Sequence, residues 1–350
     1  MNNHWAFLPM RASNDLLGDP PALRRRLDED GYLLLRRVLD PDTVMALRKQ
    51  VLLTLAEHGW VRRHPLLMKG FCTTTPVREI DEAYLRVYDD VQRLEAFHTL
   101  AHDDDLMAVM RQVLGESAFP HPLKIARLSF PSAYEISTPP HQDYPNNQGT
   151  PSLTAAWVPL GPCPIELGGL AVLRGSNHYG VLPLDRHFGP GNRHAVLHEQ
   201  MLEELRWVTT DYEAGDVLLF GSTTVHASLH NASELFMRLS VDFRYQLEGE
   251  ALTPGCLLPH FQRLDWEDVY ASWSSDRHQY YWKDLDYEVV PFEELPLVRP
   301  DEEVDKEAMA AFQRRSDASY ERRMHRLAEL FDDGEALADG QKTSGISPSG

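Results

Sequence analysis

Cysteine is scarce in this chain. Cys72, Cys163 and Cys256 are the only three among 350 residues. Odd in number and widely spaced, they define neither a disulfide framework nor a zinc motif. A reducing, cytoplasmic setting is the natural expectation. Long hydrophobic runs are missing too, since none approaches the roughly 18 residues of a membrane span. The first residues, MNNHWAFLPMRAS, lack the cationic start and apolar core of a secretion signal. Basic residues are in short supply, with 34 Lys and Arg against 53 Asp and Glu and a net charge of −19. That balance argues against nucleic acid and anionic membranes as partners. With 43% hydrophobic and 25% charged residues, the composition is that of a globular protein with a substantial core.

The most informative positive feature is His141-Gln-Asp143, followed by His226 and then Arg238. Two imidazoles and one carboxylate are the ligand set of a non-haem iron(II) oxygenase, and they leave three faces of the metal open. The tripeptide alone is weak evidence in a chain with 16 histidines. A second His-x-Asp occurs at His102-Asp-Asp104, but Leu106, Val109, Met110 and Val113 follow it at helical spacing. That places His102 at a helix start, with Asp103 or Asp104 as N-cap. His141 has different surroundings. Leu123–Phe130 alternates as a strand, and the diproline Pro139-Pro140 delivers an extended segment in which side chains two apart share a side. His230 is a rival distal ligand, because in a strand it points to the same side as His226.

Strands are expected at 153–160, 168–175, 217–220 and 237–245. In the last of these, Met237, Leu239, Val241, Phe243 and Tyr245 form one face, with Arg238, Ser240, Asp242 and Arg244 on the other. A β-rich middle with many turn signals favours a barrel or sandwich with polar residues at its mouth. Ahead of it, Asp40 is a good N-cap and Pro41 suits the first helical position; Val44, Leu47, Val51 and Leu55 follow at helical spacing. Ile80, Tyr84, Val87, Val91 and Leu94 form a second stripe. The loop Asp185–His194 is long enough to act as a lid, although such runs are more often simply solvated.

These pieces together resemble the phytanoyl-CoA dioxygenase family of Fe(II)/2-oxoglutarate oxygenases. The matching segments are DEDGYLLLRRVLDPDTVMALR, HQDY, AAWVPL, GGLAVLRGSNHYG, GDVLLFGSTTVHAS and RLSVDFRY, in the family's order over roughly two-thirds of the chain. The resemblance implies a mainly β architecture, a double-stranded β-helix or jelly roll, with helices packed on one sheet. It implies iron ligation by His141, Asp143 and His226, with 2-oxoglutarate and O2 as co-substrates. Arg238 would pair the distal carboxylate of 2-oxoglutarate, and Ser228 would add a hydroxyl through the family's His-x-Ser pattern. Lys124 stands where the family often has a co-substrate contact, and an exposed edge lysine is the competing reading. Trp157 matches a pocket tryptophan, against the alternative of a core residue. Arg244 lies about 20 Å beyond Arg238 along an extended strand, too far to share the same carboxylate. The carboxylate ligand favours hydroxylation or desaturation over halogenation, whose enzymes lack it.

The organisation read from these pieces is an N-terminal arm over 1–22 and an oxygenase domain over 23–250. An extension over 251–332 and a disordered tail over 333–350 would follow. The reaction implied is oxidation of a small organic molecule with decarboxylation of 2-oxoglutarate to succinate and CO2. An acyl-CoA, an amino acid and a natural-product intermediate all suit as substrate. A homo-oligomer through a C-terminal helix within 301–331 is a further expectation. Two other readings stand beside the oxygenase: a cupin-type metal-binding barrel with non-oxidative chemistry or ligand sensing, and a catalytically idle interaction protein.

Overall fold

The computed structural model describes residues 6–132, 137–186 and 193–298, together with 314, 318, 320–322, 324 and 325. The architecture is mixed helix and sheet rather than mainly β, because the chain before residue 114 is largely helical. α1 (Pro20–Asp30), α2 (Pro41–Glu57), α3 (Glu82–Gln92), α4 (Glu95–Thr99) and α5 (Asp104–Val113) follow one another. Local chemistry sets their starts. The Asp40 carboxylate accepts from the backbone N–H groups of Asp42 and Thr43, with Pro41 leading α2; Asp103 does the same for Asp105 and Leu106 at α5. The second apolar stripe is shorter than its spacing suggested. Tyr84, Val87 and Val91 are buried on α3, whereas Ile80 precedes the helix and is exposed.

Twelve strands concern the two main sheets and a hairpin. They are β1 (Leu8–Pro9), β2 (Tyr32–Leu35), β3 (Ala118–Pro120), β4 (Ile125–Ser129), β5 (Thr154–Pro159), β6 (Leu170–Arg174), β7 (Leu184–Arg186), β8 (Arg193–Ala195), β9 (Arg206–Thr209), β10 (Val217–Gly221), β11 (His226–Ser228) and β12 (Arg238–Leu247). The larger sheet runs β2-β10-β5-β12-β3, with β4 also paired to β12. The smaller runs β1-β9-β6-β11, so the N-terminal segment contributes an edge strand parallel to β9.

Strand parity divides the interior in two. Leu33, Leu35, Ala156, Val158, Val217, Leu219, Leu239, Val241 and Phe243 face the helices and share one core with Val44, Leu47, Val51, Tyr84 and Met110. The alternate residues Tyr32, Leu34, Ala155, Trp157, Leu218 and Phe220 point the other way. They meet Leu170, Val172 and Val208 of the smaller sheet. One sheet thus carries the helices on one face and the second sheet on the other, as the period-2 side-chain alternation requires. The outer face of the smaller sheet is covered by Leu182, Ala195 and Met201.

Residues beyond β12 wrap back onto the domain. Trp266, Tyr270 and Trp282 form their own aromatic cluster, which touches α4 through His98. Farther on, Glu293 exchanges two hydrogen bonds with the Gln148 side chain, and Thr253 donates to the carbonyl of Asn147. The extension therefore braces the turn that follows Asp143. The expected C-terminal helix and the tail after 332 lie outside the described residues, apart from scattered helical positions between 314 and 325. No described helix is long and apolar enough to cross a membrane.

Candidate metal centre

The inner face of β12 builds one wall of the site. Its alternation places Arg238, Ser240, Asp242 and Arg244 toward the space between the sheets, opposite Leu239, Val241 and Phe243 in the helical core. The far wall comes from β11 and the His141 segment, which are joined by an isolated antiparallel bridge between His141 and His226. Asp143 is not on an extended strand. Its backbone is helical and it opens a short turn over Tyr144–Asn147, whose first N–H, that of Tyr144, donates to the Ser222 carbonyl. Gln142 points away and ties the segment to the Gly180 carbonyl.

Ligand atoms of His141, Asp143 and His226 lie within 4.8 Å of one another, and this is the only such group among the described residues. All three side chains are buried. His141 Nδ1 bonds the Pro139 carbonyl at 2.8 Å, and His226 Nδ1 bonds the Thr224 carbonyl at 3.0 Å. A carbonyl can only accept, so each Nδ1 carries the proton and each Nε2 keeps a free lone pair. Burial holds both imidazoles neutral, pushing His141 down to about 3 and lowering His226 as well. Burial alone would raise Asp143. The Arg244 guanidinium outweighs it and holds the carboxyl well below its usual range. Two neutral imidazoles and an ionised carboxylate are the protonation states a divalent metal needs, so the residues fit an iron ion.

Arg238 sits in the same cavity. Its Nε donates to the Gly168 carbonyl, Nη1 to Ser240 Oγ at 2.7 Å and Nη2 to Ser228 Oγ at 2.6 Å. None of these partners is an anion. A buried guanidinium with no carboxylate hydrogen-bonded to it is costly, and its fork suits a carboxylate arriving with a ligand. Ser228 and Trp157 both line this cavity, and Trp157 Nε1 donates to Ser240 Oγ at 2.9 Å.

One expectation is corrected. Lys124 does not reach the cavity. It shares the helix-facing side of its strand with Ala126 and Leu128, and its ammonium donates to the His121 carbonyl and Tyr281 Oη. The strand's contribution comes from Arg127, on the opposite parity, which lines the cavity and pairs with Asp242 at 2.8 Å. The rival ligand His230 stands outside the cluster and bonds Ser137 Oγ through Nδ1.

Sequence reasoning missed Arg244's partner. Nε and Nη2 grip both oxygens of Asp143 at 3.1 and 3.0 Å. The strand pattern put Arg244 on the correct face, but nothing in the sequence said which residue would cross to it. Arg127 and Glu79 were also missed. Both line a second cavity that adjoins the first and shares Arg127, Thr138, Ser228 and Arg238 with it.

Comparison with known proteins places this geometry. The family model described as phytanoyl-CoA dioxygenase matches residues 27–239. The 1-deoxypentalenic acid 11-beta-hydroxylase of Streptomyces exfoliatus is 31% identical over 256 residues, covering 68% of this chain and 87% of that protein. Its counterpart from Streptomyces arenae is 33% identical over 261 residues, with the same coverage. Among solved structures, the epimerase SnoN in complex with Fe3+, alpha ketoglutarate and nogalamycin RO aligns with a TM-score of 0.48 and 24% identity, over 67% of this chain and 88% of that one. The protein is an Fe(II)- and 2-oxoglutarate-dependent oxygenase. Within that class, the chain belongs to the phytanoyl-CoA dioxygenase family.

Proposed function

We propose that His141, Asp143 and His226 hold the iron, and that Arg238 with Ser228 receives the far carboxylate of 2-oxoglutarate. The observation that carries this reading is that two histidines of the buried triad share one cavity with a buried arginine whose hydrogen-bond partners are all neutral. When bound, iron with 2-oxoglutarate and O2 would supply an oxidant for unactivated C–H bonds, as 2-oxoglutarate loses CO2 and becomes succinate. The chain's own part is orientation and exclusion of water. The histidines present Nε2 because their Nδ1 protons are committed to carbonyls. Arg238 sets the register of the co-substrate, and Trp157 with Phe220 and Leu170 supplies apolar walls. The two sheets are read as a double-stranded β-helix, with residues 23–250 as the oxygenase domain, between the 1–22 segment and the 251–332 extension.

The substrate is proposed to be a compact, largely apolar natural-product intermediate. Two considerations support this: relatives named as hydroxylases of 1-deoxypentalenic acid, and the mixture of Val77, Tyr84, Leu128 and Phe130 with Glu79 and Arg127 in the adjoining cavity. A cytoplasmic location and a homo-oligomer remain part of the proposal. Anaerobic Fe(II) titration tests the ligand assignment. Wild-type protein should bind the ion and then 2-oxoglutarate, whereas Asp143→Ala should bind the ion far more weakly. Equal binding by both would remove Asp143 from the ligand set.

A further inference from the structure

Asp143 is held in an unusual way for a residue that must also meet a metal. Among the described residues, Arg244 is the sole hydrogen-bond donor to its carboxylate, and it engages both oxygens, Nε to Oδ2 and Nη2 to Oδ1. The pair is buried on both sides, with side chains 5% and 3% exposed. The remaining nitrogen of Arg244, Nη1, is buried without a hydrogen-bond partner, so all the side-chain hydrogen bonding of the fork is spent on this one carboxylate. Its backbone is fixed by β12, where Arg244 pairs with Ala155 of the adjacent strand. Neither histidine supplies an equivalent restraint, since their Nδ1 atoms are turned to carbonyls.

We propose that Arg244 is a positioning residue that holds Asp143 so that the metal receives one carboxylate oxygen and not both. The inference rests on the reading of Asp143 as a ligand. A carboxylate bound to a divalent ion through both oxygens is a common alternative. Here it would consume one of the three faces left by the triad. 2-Oxoglutarate needs two faces as a chelate and O2 needs the third, so a chelating Asp143 would close the gas site. A guanidinium fork that claims a lone pair on each oxygen disfavours that swing and keeps the carboxylate end-on. This role differs from simple charge compensation, which any cation would satisfy.

Arg244→Lys separates the two roles, because it keeps the charge and loses the fork; Arg244→Met removes both. Each variant would be loaded anaerobically with Fe(II) and 2-oxoglutarate and titrated with nitric oxide, an O2 surrogate, with the nitrosyl electron paramagnetic resonance signal as readout. Thermal unfolding would establish that each is folded, and Arg244→Lys carries the test if Arg244→Met does not fold. The expectation is that both still bind iron, while nitric oxide affinity falls by about 10- to 100-fold, a loss of the size usual in metal affinity or activity when a residue that orients a metal ligand is removed. Wild-type affinity in both variants, or full recovery in Arg244→Lys, would overturn the proposal. So would loss of iron binding by a folded variant, which would make Arg244 necessary for ligation as such. A wild-type protein that fails to bind Fe(II) would instead reject the ligand assignment beneath it.

Discussion

His141 and His226 face each other across an antiparallel bridge in which each backbone N–H donates to the other's carbonyl, at 2.9 and 3.0 Å. Their rings lie 4.1 Å apart, centroid to centroid. Two ladder hydrogen bonds thus fix the spacing of two imidazoles that are remote in sequence, before any metal arrives.

That relationship predicts a spectroscopic phenotype. Under anaerobic conditions, Fe(II) with 2-oxoglutarate should give a weak visible charge-transfer band in the wild type. His141→Ala and His226→Ala should each abolish it, and His230→Ala should leave it in place. A band that survives in His226→Ala but not in His230→Ala would move the distal ligand.

Asp143 and Asp104 form a controlled pair. Asp143→Ala should remove hydroxylation, because the triad becomes two histidines beside an unpaired Arg244. Asp104 is merely the first residue of α5, so Asp104→Ala should turn over near wild type. Equal losses, measured as succinate formed per minute, would undo this distinction.

For Arg238, a charged hydrogen-bonded contact is typically worth about 1.5–3 kcal/mol, or roughly ten- to a hundredfold in affinity. Arg238→Ala should raise the 2-oxoglutarate requirement by about that factor with iron binding retained. Arg238→Lys should recover only part of the loss, since an ammonium has no fork. An unchanged requirement in Arg238→Ala would mean that the far carboxylate is held elsewhere.

Buried histidines make the metal-free protein acid-sensitive. Burial pushes His98 down to about 3 and His121 to about 4, from an ordinary value of 6.5. Below about pH 6.5 the unfolded chain takes up protons that the folded chain refuses, so stability falls as pH drops from there toward 4. The unfolding temperature should therefore be lower at pH 5 than at pH 7.5. His98→Gln keeps a donor for the Gln92 carbonyl, which His98 Nε2 now contacts, and should flatten the slope. One fully differential proton corresponds to about 1.4 kcal/mol per pH unit. A wild-type profile that is level across this window would contradict the assignment.

Much of the site was legible because its residues sit on strands with period-2 alternation. The pattern of β12 alone separates Arg238, Ser240, Asp242 and Arg244 from the apolar core face. Motif order then brought His141 and His226 into one site. Lys124 shows where this reasoning fails, since a one-residue difference in parity decides whether a side chain meets the cavity or the helices. The Arg244–Asp143 contact was illegible for another reason: it joins a strand to a turn across the space between the sheets, and no local pattern encodes such a crossing. The bracing of Gln148 by Glu293 likewise depends on how residues beyond β12 fold back, which their aromatic-rich composition does not specify.

The central claim is that this site couples 2-oxoglutarate to oxidation of a small organic substrate. The most direct test is to supply Fe(II), 2-oxoglutarate and O2 with a panel of natural-product acids and related small molecules, and to quantify succinate and product by mass spectrometry. The account predicts that at least one compound is recovered with an added oxygen atom, in an amount matching the succinate formed, and that His226→Ala forms neither. Iron and 2-oxoglutarate binding by the wild type, with no substrate-stimulated succinate anywhere in a broad panel, would contradict it and favour a metal-binding barrel without oxidative chemistry.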